Sequence, residues 1–128
     1  MKKRVTGIGG FFFKTKDPDA IKEWYKKHMG LDMNEYGWSF WWKDQDGKDC
    51  MTQWGPFRED TDYFEPCKKQ FMMNYRVENL EELLEVLKAE GVQVIGEIQE
   101  FDYGKFGYVM DPEGNKLELW EPVDSAFL

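Results

Sequence analysis

Very few side chains here combine the right chemistry with the right setting for a site. Glu118 is one, inside "KLELWEP", flanked by Leu117, Leu119 and Trp120. A carboxylate in an apolar strand is a metal ligand, a general base, the counter-charge of a cation, or simply a solvent-facing residue. His28, the single imidazole, falls on a helical stripe with Ile21, Trp24, Tyr25 and Met29 near a helix C-terminus, which favours a structural role. Cys50 and Cys67 stand alone with no C-x-x-C, so neither a zinc module nor a disulfide framework is indicated. "GIGG" lacks the helix start of a phosphate-cradling loop, and no nucleophile elbow or dinucleotide fingerprint occurs.

The elements that must position Glu118 follow from pattern. Residues 5–15 read as a strand. "KDPDAIKEWYKKHMG" reads as a helix with Asp17 at its N-cap, Pro18 at its first position and Gly30 just past its end. Strands follow at 36–43 and 49–54 around the turn "DQDGK". Residues 55–66, rich in Pro and acids, read as an extended loop. The order then restarts with a strand at 68–77 and a helix capped by Asn79 with Glu82 in a capping box and Gly91 as terminator. "VQVIGEIQEF" and a hairpin across "DPEGN" complete it. The two halves repeat at about 65 residues, too long a period for a solenoid unit. Each half leaves one sheet face uncovered, and pairing the halves buries it.

Composition limits the functions. The 128 residues suit one domain, with module one about 1–56, a linker at 57–67 and module two about 68–128. A net charge of −8 disfavours nucleic acid and anionic membrane surfaces, which need a basic footprint, and mildly favours cationic ligands. No apolar run is long enough for a membrane span and no signal-peptide pattern follows "MKKRV", so a cytoplasmic protein with free thiols is expected. Aromatics make up 17% of the chain, enough both to fill a small core and to line an apolar cavity.

Two consecutive βαβββ modules ending in "DPEGNKLELWEP", with "GIGGFFFKTKDPDAIKEWYKKHMGL" and "WGPFREDTDYF", resemble the vicinal oxygen chelate superfamily of glyoxalases, bleomycin-resistance proteins and extradiol dioxygenases, within a glyoxalase-like subgroup of unassigned function. The resemblance implies an α+β fold: two tandem βαβββ modules forming a U-shaped, cup-like mixed sheet with helices outside. It also implies a frequent homodimer, sometimes formed by module exchange. In members with a metal, four side chains from the first and last strand of each module hold it, and the ion stabilises charge on chelating substrate oxygens.

Matched to those four places, this sequence offers Gly10, Met51 or Thr52, Met72 and Glu118. Gln53 enters only with a further register slip. Only Glu118 fits, and one carboxylate does not hold a zinc, nickel or iron ion. No cofactor is therefore expected, and no metal in the family's usual place.

Strand alternation sets Ile8, Gly10 and Phe12, then Met72, Asn74 and Arg76, then Lys116, Glu118 and Trp120 on the cup face. Trp42 and Tyr108 are added as wall residues. The expected ligand site is Phe12, Trp42, Thr52, Met72, Asn74, Tyr108 and Trp120, with Glu118 as the tentative catalytic residue. Three readings follow: a bleomycin-resistance-like protein binding a cationic or aromatic small molecule without the family's metal, a lyase- or isomerase-type enzyme using Glu118 as base or metal ligand, or an interaction protein whose cup is filled.

Overall fold

The computed structural model describes residues 3–128. The elements are β1 (Val5–Thr15), α1 (Pro18–Met29), β2 (Trp38–Lys43), β3 (Asp49–Arg58), β4 (Phe71–Val77), α2 (Leu80–Ala89), β5 (Val94–Phe101), β6 (Gly104–Met110), β7 (Lys116–Pro122) and a closing 3₁₀ turn, η1 (Asp124–Phe127). They form a seven-stranded mixed sheet in the order β2-β3-β1-β4-β7-β6-β5. The architecture is α+β and the sheet is open and cup-like.

Local chemistry sets the boundaries. The Asp17 carboxylate accepts from Ala20 N at 3.0 Å, and Gly30 closes α1 at φ 73°. Asn79 caps α2 by accepting from Glu82 N at 3.2 Å. The two hairpin turns are built alike. Asp44 accepts from the backbone of Asp46 and Lys48, and Asp111 from that of Glu113 and Asn115.

The halves join through β1 and β4, which run antiparallel at the centre of the sheet. Each flanks the parallel last strand of its own module, β3 and β7. Module two has four strands. Module one has three among the described residues, with an isolated bridge between Asn34 and Gly37 before β2.

The helix-side core lies under α2, where Val77, Leu80, Leu83, Leu84, Val109 and Leu119 are buried together, joined by Tyr75 and Leu117. Each fully buried Leu contributes roughly 2 kcal/mol. Module one is covered more thinly. Residue Tyr25 of α1 meets Trp54 at 4.8 Å and Phe13 meets the same ring at 5.1 Å, but no α1 residue is fully buried. The residues opposite in phase to that core, Met72, Asn74, Arg76, Lys116, Glu118 and Trp120, are buried on the other face of the sheet. His28 is exposed and packs its ring on Trp24 at 5.0 Å, away from that face. No helix among the described residues is long and apolar enough to cross a membrane.

Candidate functional site

The concave face holds a cavity of about 430 Å³. Its floor is one layer across four strands. Gly10 on β1 pairs with Gln53 on β3 and with Asn74 on β4, and Asn74 pairs with Glu118 on β7. Phe12, Tyr36, Tyr103, Phe106, Trp120 and Phe127 wall it, with Gly9, Asn34, Ser39 and Met51 completing the lining. The Phe106 and Trp120 rings stack at 5.9 Å, and Phe127 from η1 meets Tyr103 and Trp120 edge-on or tilted.

Glu118 is 2% exposed, yet both its oxygens are served. Asn74 Nδ2 donates to Oε1 at 2.6 Å, and the Tyr63 hydroxyl donates to Oε2 in a short hydrogen bond. Tyr63 and Tyr108 hydroxyls lie 2.6 Å apart. Tyr63 spends its one hydrogen on Glu118, so Tyr108 must donate to Tyr63. A directed chain thus runs from Tyr108 through Tyr63 to Glu118. Lys116 flanks it, donating to the Tyr63 carbonyl at 2.7 Å with its ammonium 4.5 Å from the Tyr108 ring centre.

Burial pushes the Glu118 carboxyl above the usual carboxylate range, while the hydrogen bonds from Tyr63 and Asn74 and the Lys116 charge pull it back in part. Tyr63 and Tyr108 are raised, first by burial and then by the Glu118 charge. Burial lowers Lys116.

A second buried charge pins the cavity's end wall. Arg76 lies between Trp42 and Trp120, 5.5 and 5.2 Å from their ring centres. It makes a two-pronged pair with Asp124 at 2.9 and 2.5 Å. Asp124 also accepts from Met51 N at 3.0 Å. The η1 turn that carries Phe127 is thereby fastened to β3 and β4.

Of the side chains expected from sequence, Phe12, Asn74, Glu118 and Trp120 meet in this cavity. Tyr108 stands behind Glu118 in the hydrogen-bond chain rather than in the wall. Three do not line the cavity. Thr52 is one residue out of phase with Met51 and Gln53, and its hydroxyl donates to the Ile8 carbonyl. Trp42 donates to Thr52 at 2.8 Å and stacks on Arg76, facing a separate hollow lined by Lys43 and Asp44. Met72 is fully buried two residues from Asn74, outside the lining. Ile8 also leaves the cup face. A β-bulge makes Gly9 an extra residue between the pairs Ile8–Tyr75 and Gly10–Asn74, so Ile8 points outward and is 49% exposed.

Sequence reasoning missed Gly9, Gln53 and Tyr63, and with them four of the six wall rings, Tyr36, Tyr103, Phe106 and Phe127. The first two are matters of register. Tyr63 lies in the segment read as a linker, where Phe64 and Cys67 are nevertheless fully buried. Its signal was an adjacent pair of large rings, Tyr63 and Phe64, in an otherwise acidic loop.

The register also corrects the four places implied by the resemblance. Level with Glu118 stand Gly10, Gln53 and Asn74, where Met51 or Thr52 and Met72 were expected. A divalent transition ion does not fit this set. It offers one carboxylate, two neutral amides and a glycine, and Gln53 is already bonded to Ser39. Among the described residues no three His, Cys, Asp or Glu side chains are grouped to hold an ion.

Residues 7–119 match the glyoxalase/bleomycin resistance protein/dioxygenase superfamily. The chain belongs to that superfamily. No curated protein sequence matches it. Solved structures similar to this superfamily member include methylmalonyl-CoA epimerase from Mycobacterium tuberculosis, at TM-score 0.66 and 18% identity over 100% of this chain and 96% of that one. A Streptomyces coelicolor methylmalonyl-CoA epimerase in complex with 2-nitronate-propionyl-CoA gives 0.66 and 17% over 93% and 99%. An NAD-dependent benzaldehyde dehydrogenase from Legionella pneumophila gives 0.57 and 15% over 88% and 97%. At these identities the likeness is one of fold.

Proposed function

We propose that the cup binds a planar aromatic small molecule, neutral or cationic, without a divalent metal in the Glu118 layer. The carrying observation is the make-up of the wall. Six aromatic rings surround the cavity, Glu118 is the single carboxylate in the lining, and no Lys, Arg or His belongs to the lining among the described residues. Volume and composition are those of a small-molecule pocket. Lys116 and Arg76, the buried cations nearby, are committed to Tyr63 and Asp124. A cation entering the cavity meets π-faces and a carboxylate.

The test is a thermal-shift and tryptophan-quenching panel of acridinium, phenanthridinium and quinolinium compounds. Stabilisation by at least one class, with quenching of Trp120, is expected. A panel that leaves both melting and emission unmoved would sink the reading.

A second reading has one observation behind it. The Tyr108–Tyr63–Glu118 chain supplies a carboxyl of raised proton affinity, suited to taking and returning a proton as an isomerase-type enzyme must. The fold likeness to methylmalonyl-CoA epimerases is compatible with it. A coenzyme A ester, however, brings several negative charges to a chain of net charge −8 whose cavity lining carries no cationic side chain among the described residues. Proton exchange at the α-carbon of uncharged and anionic thioesters in heavy water, followed by NMR, separates the two readings. Exchange abolished by Glu118→Gln establishes the enzyme, and no exchange leaves the binding protein.

A further inference from the structure

The polar groups of the cavity stand at opposite ends of one layer. Glu118 on β7 marks one end. Ser39 and Gln53, paired across β2 and β3, mark the other. Gln53 and Glu118 lie three strand steps apart, roughly 14 Å along the curved sheet. Between them the floor is bare at Gly10, where a Cβ would press on the Phe12 ring at 2.7 Å, so an apolar middle separates two polar ends.

Ser39 and Gln53 are both half-buried and both line the cavity, so a molecule inside it reaches them. Their hydrogens are already assigned. Gln53 Nε2 donates to the Tyr36 and Trp54 carbonyls at 3.4 and 3.3 Å, and Gln53 Oε1 lies 2.7 Å from Ser39 Oγ. Reversing the amide would set its oxygen against two carbonyl oxygens, so this orientation stands. An amide oxygen only accepts, and the Ser39 hydroxyl therefore spends its one hydrogen on it. What stays open is acceptor capacity: the Ser39 oxygen, to which nothing donates among the described residues, and the second lone pair of Gln53 Oε1. The Glu118 carboxylate at the far end likewise accepts.

We infer that the Ser39–Gln53 pair is an acceptor-only clamp for the end of the ligand remote from Glu118, so that the cup selects flat aromatic cations with an N–H or O–H donor at each end. This rests on the aromatic-binding reading above and names the ligand class within it. Ser39 Oγ takes the ligand's donor. Gln53 is a positioning residue that holds the hydroxyl hydrogen turned away. A ligand with a methyl group at that end seals these acceptors from water unpaired and loses affinity.

The test uses three probes of one shape and fixed charge on the intact protein. 3,6-Diamino-10-methylacridinium has a donor at both ends, 3-amino-6,10-dimethylacridinium at one, and 3,6,10-trimethylacridinium at neither. Dissociation constants by fluorescence titration are expected to favour the diamino probe over the monoamino probe by about tenfold, with the donor-free probe weakest. In the double variant Ser39→Ala with Gln53→Met, which removes both acceptors, the diamino-to-monoamino ratio falls to near unity. A ratio that survives in that variant places the selection elsewhere and overturns the inference. Equal binding of the diamino and monoamino probes by the unmodified protein overturns it too, and leaves the aromatic-binding reading standing. Failure of all three probes to bind overturns both. The comparison on the unmodified protein decides the matter where the double variant does not fold or does not bind.

Discussion

Asn74 and Glu118 face each other from adjacent parallel strands, with the amide nitrogen 2.6 Å from the carboxylate. The pair joins the first strand of module two to its last, at the level where module one contributes Gly10 and Gln53. The carboxylate is thus held by neutral donors in a buried setting, and burial dominates its titration.

That has a definite pH signature. The folded carboxyl has a higher pKa than the unfolded one, so the folded state binds more protons over the interval between them. The group's favourable contribution is complete below the unfolded value and is lost as pH rises through the folded value, at no more than about 1.4 kcal/mol per pH unit. Glu118→Gln removes this loss. The melting temperature of the variant relative to the unmodified protein is expected to rise with pH from about 4.5 upward, read by scanning calorimetry at matched pH values. Affinity for a cationic probe should run the other way. It climbs with pH as Glu118 ionises in the unmodified protein and stays flat in Glu118→Gln.

Tyr63→Phe isolates the hydroxyl chain. It takes a donor from Glu118 and an acceptor from Tyr108 while keeping the ring that stacks on Phe57 at 5.5 Å. A loss of about 1–2 kcal/mol is expected in urea denaturation, close to one hydrogen bond plus an unserved group. Because the Tyr63 hydrogen bond lowers the Glu118 value, its removal moves the pH-dependent interval upward. A variant whose stability drops but whose pH profile does not move would separate packing from electrostatics.

Much of this site can be read from the chain, and the unreadable part has a physical pattern. Asn74, Glu118 and Trp120 follow from alternation along two regular strands, which fixes a face without any knowledge of neighbours. The caps at Asp17 and Asn79 and the twin Asp–Gly turns are equally local. What failed depended on register between strands. One inserted residue at Gly9 turned Ile8 outward, and the offset on β3 exchanged Gln53 for Met51 or Thr52. Tyr63 failed for another reason. A Pro-rich acidic segment has no period to read, and only the packing of Phe64 and Cys67 brings it over Glu118.

The amide-rich layer leads to an expectation about metals. Protein purified without chelator and analysed by mass spectrometry should carry no stoichiometric zinc, nickel, manganese or iron, and adding these ions should leave the melting temperature unchanged. Converting two of the layer's neutral places, Gln53→His with Asn74→His, sets two imidazoles level with Glu118. That gives the three protein ligands a zinc or nickel site needs. Metal-dependent stabilisation in the double variant and its absence in the unmodified protein is the expected contrast. Stoichiometric metal in the unmodified protein would overturn the reading of this layer.

The end wall yields the largest stability effect. Asp124→Ala leaves Arg76 charged and buried between Trp42 and Trp120, facing the Met51 carbonyl alone. Breaking a buried pair from one side costs about 3–5 kcal/mol, since the remaining charge keeps its desolvation penalty. Arg76→Met with Asp124→Ala removes that penalty and should recover part of the loss. Two readouts are needed because Asp124 also holds η1 in place through Met51 N. Chemical denaturation follows the energetic term. Limited proteolysis follows the C-terminal turn, and cleavage near Phe127 should quicken in the single and the double variant alike. Loss of Phe127 from the wall should then weaken acridinium binding in both, even where the double variant has regained its stability.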